Sequence, residues 1–216
     1  MYIPRHFSAP DEEAVRALIR AYPFATLITT SSHGFEGNDG FEVNHLPLYL
    51  EDNRVLSGHV ARANPLWQTV QSGQAVMAVF HGPHTYVTPS WYPSKAKTGL
   101  VVPTWNYVVA HARGKLRVVE DADWLRTHLA ALTTQQEVAF EQPWQLEDAP
   151  AGFIERLMHT VVGIEIEIMQ LTGKWKVSQN QPLENQWGVV KGLSASDEVY
   201  AREMATLMKA INRFTE

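Results

Sequence analysis

Hydrophobic residues recur along much of this chain with the period of short β-strands. Segments rich in β-branched or aromatic residues are separated by Gly, Pro, Asn or Asp, and they predict the strands FATLITT, FEVNHLPLYL, RVLSGHV, QAVMAVFHG, HTYVTP and TWNYVVAHARGKLRVV. In TVVGIEIEIMQL, isoleucines alternate with Glu165 and Glu167, which predicts a further strand with one solvent-exposed face. Short strands joined by tight loops favour an antiparallel barrel or sandwich over a parallel sheet.

Helical periodicity appears at four places around these strands. Helices are predicted to begin near Asp11, near Asp121 and at Ser196, and another is predicted over 151–158. The residues predicted to be buried are Val15, Leu18, Ile19 and Tyr22 in the helix near Asp11. They are Trp124, Leu125, Leu129 and Leu132 in the helix near Asp121, and Val199, Met204, Leu207, Met208 and Ile211 in the helix from Ser196. No Ser/Gly linker or internal repeat divides the chain, so we expect a single domain over 1–216 with a C-terminal helix.

Composition narrows the classes of function. With 45% hydrophobic residues, the 216-residue chain can bury a core. Its net charge of -5 argues against a surface made mainly to grip nucleic acid. The absence of cysteine excludes disulfides, zinc-thiolate sites and cysteine nucleophiles. The segment MYIPRHFSAP lacks the apolar run of a signal peptide, so we expect a cytoplasmic protein without a membrane span.

Several common catalytic and nucleotide-binding motifs are missing. Gly34, Gly37 and Gly40 lie in a long polar loop from Ser31 to Phe41, and their spacing is not that of a dinucleotide-binding loop. The nucleophile elbow, the HExxH zinc helix and the lysine-bearing phosphate loop are absent as well. His81 and His84 have no third ligand at a recognisable spacing, so no metal site is predicted.

Polar residues near strand ends are the remaining candidates for binding. In LSGHVARANPLWQ, His59 ends a predicted strand, and Arg62 and Asn64 precede a short helix. An arginine beside a helix start can bind a phosphate, but a solvated turn with Asn64 as the helix cap explains the same spacing. In EVNHLPLYL, Asn44 and His45 interrupt an apolar strand, which requires either hydrogen-bonded burial or a ligand.

Aromatic residues crowd the segment TPSWYPSKAKTGLVVPTWNYVVAHARGKL. Trp91, Trp105 and Tyr107 flank a loop of small, polar and basic residues. Flat rings suit a flat apolar ligand, yet aromatic residues on strands most often belong to the core. From spacing alone, both interpretations stay open.

Five segments in this order resemble the PaiB-type family, whose members are described as FMN-binding negative transcriptional regulators. The segments are NHLPLYL, GHVARANPLW, VFHGPHTYVTPSWYPSK, VPTWNYVVAHARGKL and KWKVSQNQP, and the similarity runs from MYIP to GVVKGL. This resemblance implies an antiparallel split β-barrel with peripheral helices, similar to pyridoxamine-phosphate oxidases. It also implies a homodimer with FMN in a cleft at the subunit interface.

The resemblance assigns candidate cofactor contacts to three parts of the chain. Those for the flavin ring would be Asn44, His45 and Leu46, approaching from the second strand, and Trp91, Trp105, Asn106 and Tyr107 in the cleft wall, some of which would serve the subunit interface instead. Those for the ribityl-phosphate end would be His59, Arg62 and Asn64, and those closing the cleft or crossing the dimer would be Lys174, Lys176, Ser178, Gln179 and Asn180. The lysines are two residues apart and therefore share a strand face, which suits a phosphate but equally an exposed basic edge.

Two classes of function follow from the resemblance. A flavin-binding regulator would sense redox state or a small metabolite, although the chain shows no helix-turn-helix pair or basic stripe for direct DNA contact. A flavin-dependent reductase or oxidase is the alternative, with His45 or His84 as candidate proton donors. Haem binding through His111 or His159 is a third possibility that no sequence feature favours.

Overall fold

Seven strands form one sheet in the computed structural model, which describes residues 1–31 and 40–212. The strands are β1 (Phe24–Ser31), β2 (Gly40–Pro47), β3 (Tyr49–Glu51), β4 (Val55–Ala61), β5 (Gln74–Val87), β6 (Thr104–Val119) and β7 (Val161–Lys176). They are hydrogen-bonded in the order β2-β1-β5-β6-β7-β4-β3. The pairs β1–β2, β1–β5, β3–β4 and β4–β7 are antiparallel, as the short strands and tight loops predicted.

Strand boundaries differ from the prediction at three points. QAVMAVFHG and HTYVTP form one strand, β5, which continues through Gly82 and Pro83. FEVNHLPLYL instead divides at Pro47, whose nitrogen carries no hydrogen to donate to a neighbouring strand. His59 was predicted to end a strand but lies inside β4.

Seven helices accompany the sheet in the described part of the chain. They are α1 (Glu12–Ala21), α2 (Leu66–Thr69), α3 (Ser94–Thr98), α4 (Ala122–Glu137), α5 (Phe153–Met158), α6 (Leu183–Ser194) and α7 (Val199–Ile211). The sequence analysis missed α3 and α6. Helix α6 contains Gly188 and Gly192, and glycine lowers intrinsic helix propensity, so the pattern there did not indicate a helix.

The chain folds as two compact units, and β5, β6 and β7 run through both. Unit 1 combines Met1–Tyr22 and His81–Ala110 with the segment from Thr172 onward. Unit 2 combines Pro23–Phe80 with His111–Leu171. One domain over 1–216 stays a prediction.

Unit 1 packs its helices through the faces that periodicity indicated. The Asp11 carboxylate accepts a hydrogen bond from Ala14 N at 2.7 Å and so caps α1, whose Val15, Leu18 and Ile19 are buried. Helix α7 packs against α6 and buries Met204 and Met208, but Val199 is exposed and Leu207 and Ile211 are half-buried.

Unit 2 shows a buried carboxylate where the sequence predicted a solvent-exposed strand face. Glu165 on β7 is buried, and it accepts hydrogen bonds of 2.6 Å from Arg117 Nε and from Trp124 Nε1. Helix α4 is capped by Asp121 as predicted, but its buried residues are Leu125 and His128, while Trp124, Leu129 and Leu132 are half-buried. A charged group can be buried when such partners satisfy it.

Two further predictions concern membrane-spanning helices and the loop after β1. No helix in residues 1–31 or 40–212 is both long and apolar enough to cross a bilayer. The long loop predicted from Ser31 to Phe41 falls almost entirely outside the described residues.

Candidate functional site

One face of the sheet in unit 1 collects rings and lysines from three neighbouring strands. Side chains two residues apart on a strand share a face, and this one carries His84 and Tyr86 on β5, Trp105 and Tyr107 on β6, and Lys174 and Lys176 on β7. We call this set the lysine–aromatic face. The Trp105 side chain is 54% exposed and Tyr86 is 47% exposed, so their rings are available to a ligand.

Lys174 lies over aromatic rings, and Lys176 donates hydrogen bonds to neutral oxygen atoms. Lys174 Nζ lies 5.4 Å from the centroid of the Tyr107 ring and 5.7 Å from that of Tyr2. Lys176 Nζ donates to Thr104 Oγ1 at 2.5 Å and also to the Trp105 carbonyl oxygen. Neither lysine forms an ion pair within the described residues.

Burial and the neighbouring positive charge perturb the second lysine. Partial burial, and then repulsion from Lys174, lower the pKa of Lys176 below its ordinary 10.5. An anion bound between the two ammonium groups would relieve both effects. The face therefore offers an uncompensated positive pair beside exposed rings.

Three predicted cofactor contacts in unit 1 have structural partners instead. Asn106 is fully buried, and its Nδ2 donates to Ser178 Oγ at 3.0 Å, while Ser178 is buried as well. Gln179 bonds locally to the Val177 nitrogen and the Trp175 carbonyl. These hydrogen bonds hold the end of β7 in place, and cofactor contacts of Asn106, Ser178 and Gln179 stay predictions.

Trp91 lies against helix α6 and borders a cavity of 670 Å³. A Cβ atom built on Gly192 would come within 2.3 Å of the Trp91 indole, and one on Gly188 within 1.9 Å of the Trp91 carbonyl oxygen. Glycine at both positions lets the tryptophan pack directly on the helix backbone. The aromatic cavity, as we call it, is lined by His84, Thr85, Tyr86, Trp91, Trp105, Leu193, Ser196, Glu198, Val199, Tyr200 and Ala201.

In unit 2, Asn64 acts as the cap that the sequence analysis left open. Its Oδ1 accepts a hydrogen bond from Leu66 N at 2.9 Å, and its Nδ2 donates to Asn44 Oδ1 at 2.7 Å. The structure thus joins two predicted contacts, Asn44 and Asn64, through a hydrogen bond that orders the start of α2.

Arg62 is already engaged by oxygen acceptors. Its guanidinium donates to Glu120 Oε2 at 3.0 Å, to the His159 carbonyl at 3.0 Å and to the Val161 carbonyl at 3.4 Å. It also lies 5.4 Å from the centroid of the Trp67 ring. Glu120 offsets part of the positive charge of Arg62, and a contact between Arg62 and a phosphate stays a prediction.

His59 belongs to a partly buried imidazole pair that the sequence did not reveal. Its Nδ1 lies 3.2 Å from His128 Nε2, and His128 Nδ1 lies 3.1 Å from Ser57 Oγ. Burial lowers the pKa of His59 below its usual 6.5, and burial followed by the charge of His59 lowers the pKa of His128 to about 4. A neutral His59 does not supply positive charge to a phosphate at neutral pH.

The remaining predicted contacts of unit 2 lie on β2. Leu46 is buried, whereas His45 is exposed, hydrogen-bonded to Thr26 Oγ1 at 3.2 Å and stacked on Phe24 with ring centroids 6.4 Å apart. His45 is therefore not the buried, hydrogen-bonded histidine that one of the two interpretations required. A contact with a partner or ligand stays a prediction.

Of the predicted residues, the structure brings four together on one face of unit 1, joins Asn106 to Ser178 in its interior, and joins two in unit 2. Trp105, Tyr107, Lys174 and Lys176 share the lysine–aromatic face, and Asn44 bonds Asn64. Asn180 is exposed after the end of β7. The sequence analysis missed Tyr86 and Tyr200, because a single ring on a strand or helix carries no signal until its neighbours are known.

No metal centre is found among the described residues. Within 1–31 and 40–212, no three His, Cys, Asp or Glu side chains cluster as metal ligands. His84 instead donates a hydrogen bond from Nδ1 to the Gly82 carbonyl oxygen, 3.2 Å away, and its ring centroid lies 5.0 Å from that of Tyr200.

Comparison with known protein families gives a match over most of the chain. The family model described as "Putative FMN-binding domain" matches residues 1–170. The match supports FMN, the cofactor predicted from the sequence.

Curated relatives extend the similarity to nearly the full length. The chain is 29% identical to the Bacillus subtilis protein "Protease synthase and sporulation protein PAI 2", over 97% of both chains. It is 33% identical to an uncharacterised protein of Emericella nidulans, over 89% of this chain and 90% of that protein. The predicted resemblance to PaiB-type proteins is confirmed.

Solved structures with the same fold include proteins that bind flavin or haem. The flavocytochrome Anf3 from Azotobacter vinelandii superposes with a TM-score of 0.59 at 15% identity, covering 81% of this chain and 72% of that one. The FAD and haem binding protein from Mycobacterium smegmatis superposes with a TM-score of 0.57 at 15% identity, covering 78% and 73%. The predicted fold, a mainly β split barrel with peripheral helices, is confirmed.

Proposed function

We propose, since this chain belongs to the FMN-binding domain family, that it binds FMN on the lysine–aromatic face and acts as a flavin-dependent regulator. The observation that carries the site is the pair Lys174 and Lys176, which lack carboxylate partners in the described residues and lie beside exposed rings. FMN combines a flat ring system with a phosphate, and both find a counterpart there.

The chemistry of the face fits the two ends of FMN. Trp105 and Tyr107 offer apolar ring surface to the isoalloxazine, which buries well against aromatic side chains. Lys174 and Lys176 offer charge-assisted hydrogen bonds to the phosphate. By contrast, Arg62 is paired with Glu120 and His59 is neutral at pH 7, so neither competes as the phosphate site within unit 2.

Bound FMN supplies redox chemistry, and the protein supplies position and electrostatics. On this face, His84 donates a hydrogen bond from Nδ1 to the Gly82 carbonyl oxygen, which leaves Nε2 for another partner. We assign His84 as the residue that holds or moves a proton at Nε2 near the bound ring. This observation favours the alternative function, a flavin-dependent reductase or oxidase.

Dimer formation is a further part of the proposal. Phe24, Phe41 and Val43 expose 65%, 75% and 51% of their surface on β1 and β2. Exposed apolar residues in such numbers favour contact with another protein surface, and we propose a second copy of this chain. Light scattering of the purified protein should give the mass of a dimer, and a monomer at micromolar concentration would contradict it.

Titration of the apoprotein with FMN tests the cofactor site. We expect saturable binding, weakened about tenfold by Trp105→Ala through lost ring contact and about tenfold by Lys176→Met through a lost charge-assisted hydrogen bond. Flavin fluorescence and absorbance report the binding.

Two matched variants separate this site from general effects of tryptophan or lysine loss. Trp144→Ala removes an exposed indole in unit 2, and Lys191→Met removes an exposed ammonium from α6. Both should bind FMN as the wild type does. Equal affinity in all five proteins would mean that FMN does not use the lysine–aromatic face.

The regulator and the oxidoreductase differ in two assays. An oxidoreductase should consume reduced nicotinamide under air in a flavin-dependent manner, and His84→Gln should slow it about tenfold or more at saturating FMN. A DNA-binding regulator should shift a promoter fragment and lose affinity steeply as salt rises. With a net charge of -5, we expect no direct shift and therefore regulation through a protein partner.

A further inference from the structure

The aromatic cavity of unit 1 has walls that attract positive charge, and we propose that it binds an organic cation with a weakly hydrated ammonium head, such as a quaternary ammonium. Four of its lining residues are aromatic: Tyr86, Trp91, Trp105 and Tyr200. The face of an aromatic ring carries negative electrostatic potential and binds cations within about 6 Å of its centroid. The cavity shares His84, Tyr86 and Trp105 with the lysine–aromatic face, but the inference rests on the cavity lining and does not depend on FMN binding.

Two of the rings that line the cavity are steeply inclined to each other. Tyr86 and Trp105 have centroids 6.2 Å apart and planes inclined at 72°, so they form two nearly perpendicular walls. The His84 ring lies 6.5 Å from Trp105 and 5.0 Å from Tyr200, which links the sheet to the start of α7. A compact cation between these walls can contact several ring faces at once.

The fourth ring is held rigidly by the helix behind it. Gly192 lies so close to the Trp91 indole that a Cβ atom there would be 2.3 Å away. The indole cannot turn towards α6 without striking its backbone. A wall fixed before binding loses little conformational entropy when a ligand arrives.

Glu198 supplies a carboxylate to the lining of the cavity. Glu198 is the sole charged residue lining it, and its carboxylate forms no ion pair within the described part of the chain. Arg202, one turn further along α7, donates to the Ser196 carbonyl at 3.0 Å. The FMN phosphate would be repelled here and attracted to Lys174 and Lys176, so the two ligands have separate charge requirements.

The volume leaves room for more than the ammonium head. At 670 Å³ the cavity falls in the range of small-molecule sites, about 300–1,000 Å³. The ligand class is therefore an organic ammonium that carries a further group.

A matched pair of probes tests the charge requirement. Choline and its neutral isostere 3,3-dimethylbutan-1-ol have the same shape, and each is titrated into the full-length apoprotein while tryptophan fluorescence or calorimetric heat is recorded. We expect choline to bind saturably and about tenfold more tightly than the alcohol. No saturable binding of choline, or equal affinity for both probes, overturns the proposal.

Variants place the binding in the cavity. Glu198→Gln and Tyr200→Leu should each weaken choline binding about threefold to fivefold. Asp197→Asn removes a neighbouring exposed carboxylate outside the cavity lining and should leave the affinity unchanged. Choline binding that is unaffected by the first two variants overturns the location.

The same samples are titrated with FMN and followed by flavin absorbance. Because Glu198 and Tyr200 lie outside the lysine–aromatic face, their variants should keep FMN binding. A protein that binds FMN but not choline, or choline but not FMN, therefore shows which of the two proposals has failed.

Discussion

Replacing Gly188 with alanine is expected to lower the free energy of unfolding by about 3 kcal/mol, although alanine is the better helix former. The new Cβ atom would lie 1.9 Å from the Trp91 carbonyl oxygen, and backbone atoms cannot move aside as a flexible side chain can. Helix propensity alone would raise stability by about 1 kcal/mol. The sign of the measured change therefore decides whether the contact with Trp91 governs this position.

Urea unfolding at pH 7 measures the effect, with a second substitution on the same helix as its control. Ser194→Ala changes an exposed position at the end of α6 and should alter stability by less than about 0.5 kcal/mol. Near-ultraviolet circular dichroism of Gly188→Ala should also change, because Trp91 must leave its place. A stabilised variant with an unchanged spectrum would show that α6 and Trp91 are not packed as described.

Acidification from pH 7 to pH 5 is expected to cost about 2 kcal/mol of stability through His128. This imidazole is 2% exposed, and its pKa falls to about 4 in the folded protein against 6.5 in the unfolded chain. Between these two pH values, His128 is mostly protonated in the unfolded chain and mostly neutral in the folded protein. The stability contribution is complete above pH 6.5 and is lost as the pH falls towards 4.

The variant His128→Gln isolates this contribution from the titration of carboxylates. Glutamine can keep a hydrogen bond to Ser57 but does not titrate, so its loss of stability between pH 7 and pH 5 should be smaller than that of the wild type by about 2 kcal/mol. His6→Gln changes an exposed histidine and should follow the wild type. Identical pH dependence in all three proteins would rule out a buried neutral His128.

The same pair shows a feature of His59 that its sequence position did not reveal. A histidine between a strand and a helix start looks suited to an anion, but burial lowers the pKa of this one and favours its neutral form. Charge at a site depends on burial and on partners brought from distant parts of the chain. The same holds for Arg62, because its guanidinium already donates hydrogen bonds to Glu120 and to two carbonyl groups.

For the two lysines near the end of β7, the spacing in the sequence did predict their arrangement on the strand. Lys174 and Lys176 were predicted to share a strand face from their spacing, and they do, because alternation along a strand is a local property. That they meet Tyr107 and the Trp105 carbonyl, with no carboxylate nearby among the described residues, depends on the neighbouring strand. The interpretation as an exposed basic edge could be weighed only once that pairing was known.

The sequence by itself determined the features that depend on neighbours along the chain. Strand alternation, the caps at Asp11 and Asp121, and the motifs that reveal the family all lie within short segments, where local sterics and hydrogen bonding decide the conformation.

The surroundings of the predicted residues, in contrast, depend on contacts between distant segments. The tertiary structure buried Asn106 against Ser178, exposed Trp105 on the opposite side of β6, and formed α6 around glycines that local propensity disfavours. Burial, charge compensation and ring packing arise between segments far apart in sequence, so no pattern within a single segment contains them.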